Sequence, residues 1–210
     1  MRAYDKNSAR GLVAAVAAGL LLAACGSGAG SGSGHPGGAD HEASAPASPS
    51  GTPGRAHATG PFNDADVTFA QGMIPHHQQA LDMARLADGR AEDADVRRLV
   101  AAIKQAQDPE IRTMRTWLTG WGRPESAGHA GHGMAGMMSE QDMKDLAAVR
   151  GRAFDRRFAE LMIAHHDGAV QMARTEQREG RDEAALELAG DVVRTQSAEI
   201  SELRRILERL

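Results

Sequence analysis

Two short stretches carry the side chains best suited to chemistry, Met73-Ile74-Pro75-His76-His77 and Met162-Ile163-Ala164-His165-His166. Paired imidazoles beside a thioether offer neutral nitrogen and sulfur donors, a set that suits soft or borderline metal ions and Cu(I) above all. The stretches stand 89 residues apart, and the same offset aligns residues 66–118 with 155–207 without a gap. Met83-Ala84-Arg85 corresponds to Met172-Ala173-Arg174, Gln107 to Gln196, and Glu110-Ile111 to Glu199-Ile200. Self-similarity over about 50 residues means one structural unit used twice.

Helices must position these residues. After residue 62 the chain is dominated by Ala, Leu, Glu, Arg, Gln and Met, all good helix formers. Four helices are expected. The first covers residues 63–88, with Asn63 or Asp64 able to cap it and Gly89 past its end. The second covers 92–119, ended by Gly120 and Gly122 before Pro124. The third covers 139–180, opening on the capping-box pattern Ser139-Glu140-Gln141-Asp142, and the fourth covers 182–210. Two short turns and one long connection give two repeated antiparallel hairpins, packed as an all-α four-helix bundle.

Helical geometry decides where the candidate ligands point. At 100° per residue, Phe69, Met73, His76, His77, Ala80, Met83 and Ala84 share about 120° of arc. Gln71, Gln78, Asp82 and Arg85 fall opposite. The third helix repeats the pattern with Phe158, Met162, His165, His166, Ala169 and Met172 inward. On the second and fourth helices Glu110 and Glu199 fall in the apolar stripe, with Gln107 and Gln196 beside them. A carboxylate there is costly unless paired, hydrogen-bonded or metal-bound. Each copy therefore sends two His, two Met, one Glu and one Gln towards one interior. Pro75 and Pro109 sit mid-helix where the second copy has Ala164 and Ala198, and each favours a kink.

The connection, residues 120–138, carries His129, His132, Met134, Met137 and Met138 among glycines, a further set of soft-metal donors or an incidental polar loop. Upstream, residues 1–24 combine Arg2, Lys6 and Arg10 with a short apolar run of the kind found in signal peptides. Leu22-Ala23-Ala24-Cys25 resembles a bacterial lipoprotein cleavage box, so cleavage before Cys25 and lipidation of its thiol are expected. Residues 25–61, rich in Gly, Ser, Ala and Pro, read as a disordered tether of roughly 30–35 Å between that anchor and the domain at 62–210. These features place the domain on the extracytoplasmic face of a bacterial membrane.

The net charge of −4 and the lack of a basic stripe argue against nucleic acid. The single cysteine rules out an internal disulfide and any multi-cysteine metal site. Imidazole with thioether points to copper, and imidazole with carboxylate to zinc, iron or manganese. A di-iron centre of ferritin type uses Glu-x-x-His motifs on two helices. Glu160 precedes His165 by five residues, so that motif is missing. The domain also lacks the thiolate of an electron-transfer copper site and any evident hydrolytic nucleophile. Binding is favoured over catalysis. The bland alternatives are methionine as core filler and a polar core in which Glu110 and Glu199 accept hydrogen bonds from the imidazoles.

The doubled pattern Met-Ile-x-His-His-x-x-Ala-x-x-Met-Ala, with Gln-x-x-Glu-Ile on the following helix, resembles the domain-of-unknown-function 305 family of secreted bacterial proteins over residues 62–210. That resemblance implies a ferritin-like fold of two helical hairpins. It also implies copper binding through His and Met, since some members are periplasmic copper-binding proteins linked to copper tolerance. Three functions are carried forward. The first is a lipid-anchored protein that sequesters copper or passes it to a metal-exchange partner. The second is a ferritin-like di-metal oxidoreductase. The third is a metal-free helical interaction module.

Overall fold

A computed structural model describes residues 60–126 and 134–210. The expected signal peptide, Cys25, nearly all of the tether, and His129 and His132 lie outside these residues.

Five helices form the described part of the chain: α1 (Asp64–Leu86), α2 (Ala94–Gly120), α3 (Glu140–Ala148), α4 (Gly151–Glu179) and α5 (Glu183–Arg209). The pairs α1–α2 and α4–α5 are antiparallel hairpins, joined mainly where α1 packs on α4. The four long helices make the expected bundle. No helix among the described residues is long and apolar enough to cross a membrane.

Side chains that satisfy free N–H groups set the helix starts. Asn63 caps α1 in a capping box with Asp66, Asp93 caps α2, Ser139 and Asp142 form the box of α3, and Asp182 caps α5. Both α1 and α2 run unbroken through Pro75 and Pro109.

The third helix was expected to be continuous over 139–180, and it is not. The chain is extended at Val149 and Arg150, and Gly151 takes a φ of +60°. Only glycine adopts that conformation cheaply. The break docks on the α1–α2 turn: Gly151 N–H donates to the Arg90 carbonyl at 2.8 Å, and Arg150 Nη1 to the Gly89 carbonyl at 3.0 Å. The capping box at Ser139 is real but opens the short α3, which adds Leu146 to the core.

A second device ties the hairpins crosswise. Asp155, near the start of α4, accepts from the backbone N–H groups of Glu92 and Asp93. Its repeat counterpart Asp66, in the first turn of α1, accepts from Arg181 and Asp182. Each hairpin's turn is thus held by a buried carboxylate of the other hairpin.

The apolar core falls into two clusters. One gathers Val67, Phe69 and Met73 of α1, Met114, Trp117 and Leu118 of α2, and Ala185, Ala189 and Val192 of α5. The other gathers Met83 and Ala84 of α1, Leu99 and Ile103 of α2, Phe154, Phe158 and Met162 of α4, and Leu203 and Ile206 of α5.

Candidate metal centre

Between the two clusters every long helix turns polar. On α1 the residues between Met73 and Ala80 include His76 and His77, and on α4 those between Met162 and Ala169 include His165 and His166. The corresponding places on α2 and α5 hold Gln107 with Glu110 and Gln196 with Glu199. All four histidines are buried, each no more than 1% exposed. Where α1 meets α4, the His76 and His165 rings lie 3.8 Å apart between centroids, tilted by 42°. The helical arithmetic therefore put the imidazoles on the correct face.

The carboxylates sit differently from expectation. Glu110 and Glu199 keep 20% and 17% of their side chains exposed, so they border the layer instead of lying at its centre. Glu110 Oε2 is 2.7 Å from His77 Nε2, and Glu199 Oε2 is 2.7 Å from His166 Nε2. A carboxylate accepts, so Nε2–H of His77 donates to Glu110, and the lone pair of that ring is on Nδ1. His166 approaches Glu199 as closely but without hydrogen-bond alignment. His76 Nε2–H donates to the Ala135 carbonyl at 3.3 Å, which again leaves Nδ1 with the lone pair.

Those lone pairs meet no donor. Nδ1 of His76 and His77 and both ring nitrogens of His165 and His166 are buried without a hydrogen-bond partner, as are Oε1 of Gln107 and Gln196. Burial, reinforced by the neighbouring His77, drives the His76 pKa down to about 3. Burial and then the neighbouring His76 also carry His165 well below its usual value. Both rings are neutral at neutral pH, the form that binds a metal. Among the described residues no three His, Cys, Asp or Glu side chains are gathered to hold an ion as they stand. The donors suit a soft or borderline ion in kind, and holding one requires thioethers or a shift of the rings.

The methionines divide by position. Met73 packs into the first cluster, Met83 and Met162 into the second, and all three are fully buried. Met172 is partly buried and faces Met134 across Gly72. Met137 is partly buried, while Met138 packs against the second cluster.

Sequence reasoning missed a strap. Residues 134–138 cross α1 and α4 beside the histidines. Gln79 fixes the strap by bonding both backbone groups of Met138, its Nε2 donating to the carbonyl at 2.9 Å and its Oε1 accepting from the N–H at 2.6 Å. Gly136, at φ +82°, lies so close to α4 that a Cβ would be 2.7 Å from the Ala164 carbonyl oxygen. A Cβ on Gly168 would overlap the Ala135 carbonyl. The sequence held a signal of this: Gln79 and Gly168 are counterparts in the repeat alignment yet differ in kind.

A bundle of two repeated hairpins with a histidine layer at their junction defines a class, and comparison with known proteins identifies it. A sequence profile of the domain of unknown function DUF305 matches residues 66–207, so the chain belongs to the DUF305 family. It is similar to a Streptomyces coelicolor DUF305 protein classed as secreted, with 33% identity, TM-score 0.65, and coverage of 69% of this chain and 93% of that one. A DUF305 fragment from Deinococcus radiodurans gives 36% identity and TM-score 0.63 over 72% of this chain and 100% of the fragment. CopM in its Cu(II)-bound form gives 36% identity and TM-score 0.61 over 69% and 96%. CopM is also known in Cu(I)-bound and Ag-bound forms at 34% identity. No curated protein matches the chain.

Proposed function

We propose that this protein is an extracytoplasmic metal-binding lipoprotein whose cargo is copper, held for sequestration, tolerance or delivery. The observation that carries the proposal is the layer of four buried histidines whose ring lone pairs have no partner. Leaving such groups unsatisfied costs about 1–3 kcal/mol each, a cost that an ion in the layer would offset. The copper-bound and silver-bound forms of CopM support the same reading. The Streptomyces relative classed as secreted supports an extracytoplasmic location, and the sequence around Cys25 supports anchoring by lipid. In this reading His76, His77, His165 and His166 supply nitrogen. Glu110 acts behind the metal, holding the ring of His77 so that Nδ1 points inward, and Glu199 stands at the same distance from His166.

The oxidoreductase alternative has less support, because the two interior carboxylates face imidazoles from the rim of the layer. Protein purified without an affinity tag and titrated with Cu(I) against a chelating competitor tests the proposal. The wild type should retain copper, and replacement of all four histidines by Ala should abolish retention. Glu110→Gln should weaken Cu(I) binding about 10- to 100-fold without unfolding the domain. Stoichiometric iron or manganese with oxygen-dependent turnover would instead favour the oxidoreductase. A melting temperature unmoved by any metal would favour the metal-free module. Mass analysis of the mature N-terminus checks lipidation at Cys25.

A further inference from the structure

The two repeats differ in the residues that flank the histidine layer. Gly72 is the counterpart of Leu161, and Met172 of Met83. Leu161 and Met83 are both buried in the second apolar cluster, so that side is sealed. On the other side Gly72 supplies no side chain and Met172 is only partly buried. There a cleft of about 650 Å³ opens, with Gly72, Met134, Ala135 and Met172 in its wall. Met134 belongs to the strap and has no counterpart in the alignment.

The two sulfurs face one point. A Cβ built on Gly72 would have Met134 Sδ and Met172 Sδ each at 3.5 Å. Gly72 is helical and buried, with no positive φ to require glycine. A glycine in mid-helix is less favourable than alanine, and a Cβ there would make only ordinary contacts, so neither conformation nor crowding accounts for it. Methionine used as core filler would be enclosed, as Met73, Met83 and Met162 are. Met134 and Met172 instead line an opening whose rim carries the exposed carboxylates of Asp64 and Glu179. The residue after Met134 is Ala135, whose carbonyl accepts from His76 Nε2. The sulfur pair therefore lies one residue along the strap from the contact that covers the histidines.

We propose that Met134 and Met172 form a two-thioether site for a monovalent soft ion, Cu(I) or Ag(I), through which the histidine layer is loaded. The inference rests on the reading of that layer as metal-binding. Neutral thioethers favour soft monovalent ions over zinc, iron or manganese. Transfer is ligand exchange from sulfur to nitrogen. The ion keeps its charge, and no electron or proton moves.

The test is Cu(I) X-ray absorption on the full-length protein, with uptake followed by stopped flow. Three proteins are compared: wild type, Gly72→Ala and Met134→Leu/Met172→Leu. The methyl of Gly72→Ala makes ordinary contact with both sulfurs and takes the place between them, while alanine favours the helix. That variant should fold with an undiminished melting temperature. Both variants should lose the sulfur scattering seen in wild type, keep the nitrogen scattering, and take up Cu(I) about tenfold more slowly. Unchanged sulfur scattering in both variants, with wild type still binding, overturns the thioether site and leaves the histidine proposal standing. Wild type that binds no Cu(I) overturns both.

Discussion

Glu176 should make the domain lose stability as pH rises from weakly acidic to weakly alkaline. Its side chain is 1% exposed at the end of α4, facing Asp66 of α1 and Asp182 at the start of α5. No donor among the described residues bonds either oxygen. Burial, then the hydrogen bond to Asp66 and the charges of Asp66 and Asp182, push the Glu176 pKa from 4.5 up to about 8. Burial pushes Asp66 up as well, but hydrogen bonds from Glu176 and from the N–H groups of Arg181, Asn63 and Asp182 outweigh it, and Asp66 ends below its usual value. The pair is satisfied when Glu176 keeps its proton and donates it to an ionised Asp66. Below pH 4.5 folded and unfolded chains both hold that proton, and the contribution is fully present. Between 4.5 and about 8 the unfolded chain releases a proton that the folded one retains, so stability falls with pH. The slope is at most about 1.4 kcal/mol per pH unit, which sets a ceiling of about 4 kcal/mol from pH 5 to 8. The shift is shared with Asp66, so about 2 kcal/mol is expected. Glu176→Gln keeps a donor for Asp66 and cannot ionise. Urea unfolding of metal-free wild type and variant at pH 5, 6, 7 and 8 should show the variant gaining on wild type by that amount. Asp66, Asp182 and the histidines are common to both proteins and cancel in the difference. Parallel stability curves would refute the reasoning.

Gly168→Ala drives a methyl into the Ala135 carbonyl, so the strap should lift from α4 and His76 should lose its acceptor. A loss of about 1–3 kcal/mol and new proteolytic cleavage within residues 134–138 are expected, read by urea unfolding and limited proteolysis. His165→Leu removes two buried nitrogens that have no partner, so the metal-free domain should gain about 1 kcal/mol in urea unfolding even as Cu(I) retention falls.

The sequence conveyed the helices, their faces and the doubled site because each is a periodic signal. Helical spacing fixes which side of α1 carries His76 and His77, and the 89-residue offset fixes that α4 repeats it. What it did not convey depends on contacts between distant segments. The break at Val149–Gly151 looks like a tolerated glycine in a long helix until the α1–α2 turn that receives Gly151 N–H is in place. Asp66 reads locally as an ordinary first-turn acid, and Asp155 as a polar residue inside a long helix, until the turns they hold are in place. Glu110 and Glu199 fell in the apolar stripes by angle, but the stripe's edge is where a carboxylate can reach an imidazole and still touch water. The strap was legible only as mismatches between the copies, at Gln79 against Gly168 and Gly72 against Leu161.

Those mismatches bear on why the bundle is built from two copies. Twofold repetition brings four imidazoles to one crossing, since each hairpin contributes a pair from the middle of its first helix. The same repetition leaves both sides of that crossing alike, and a layer sealed on both sides could hold an ion but not exchange it. Replacing the leucine position by Gly72 and laying a Met-bearing strap over Gly168 breaks the symmetry on one side only. The sealed half keeps Met83 and Leu161 as packing, while the open half turns the equivalent Met172 towards a cleft. On the proposed reading, the stability lost by leaving the histidines unsatisfied belongs to the ion-free state alone. An ion present at about a thousand times its dissociation constant stabilises the folded state by about 4 kcal/mol, comparable with the cost of a few unpaired buried nitrogens. Packing alone would be better served by leucine at His165, and the proposed ion, entering through the open side, would satisfy the rings that packing leaves unpaired.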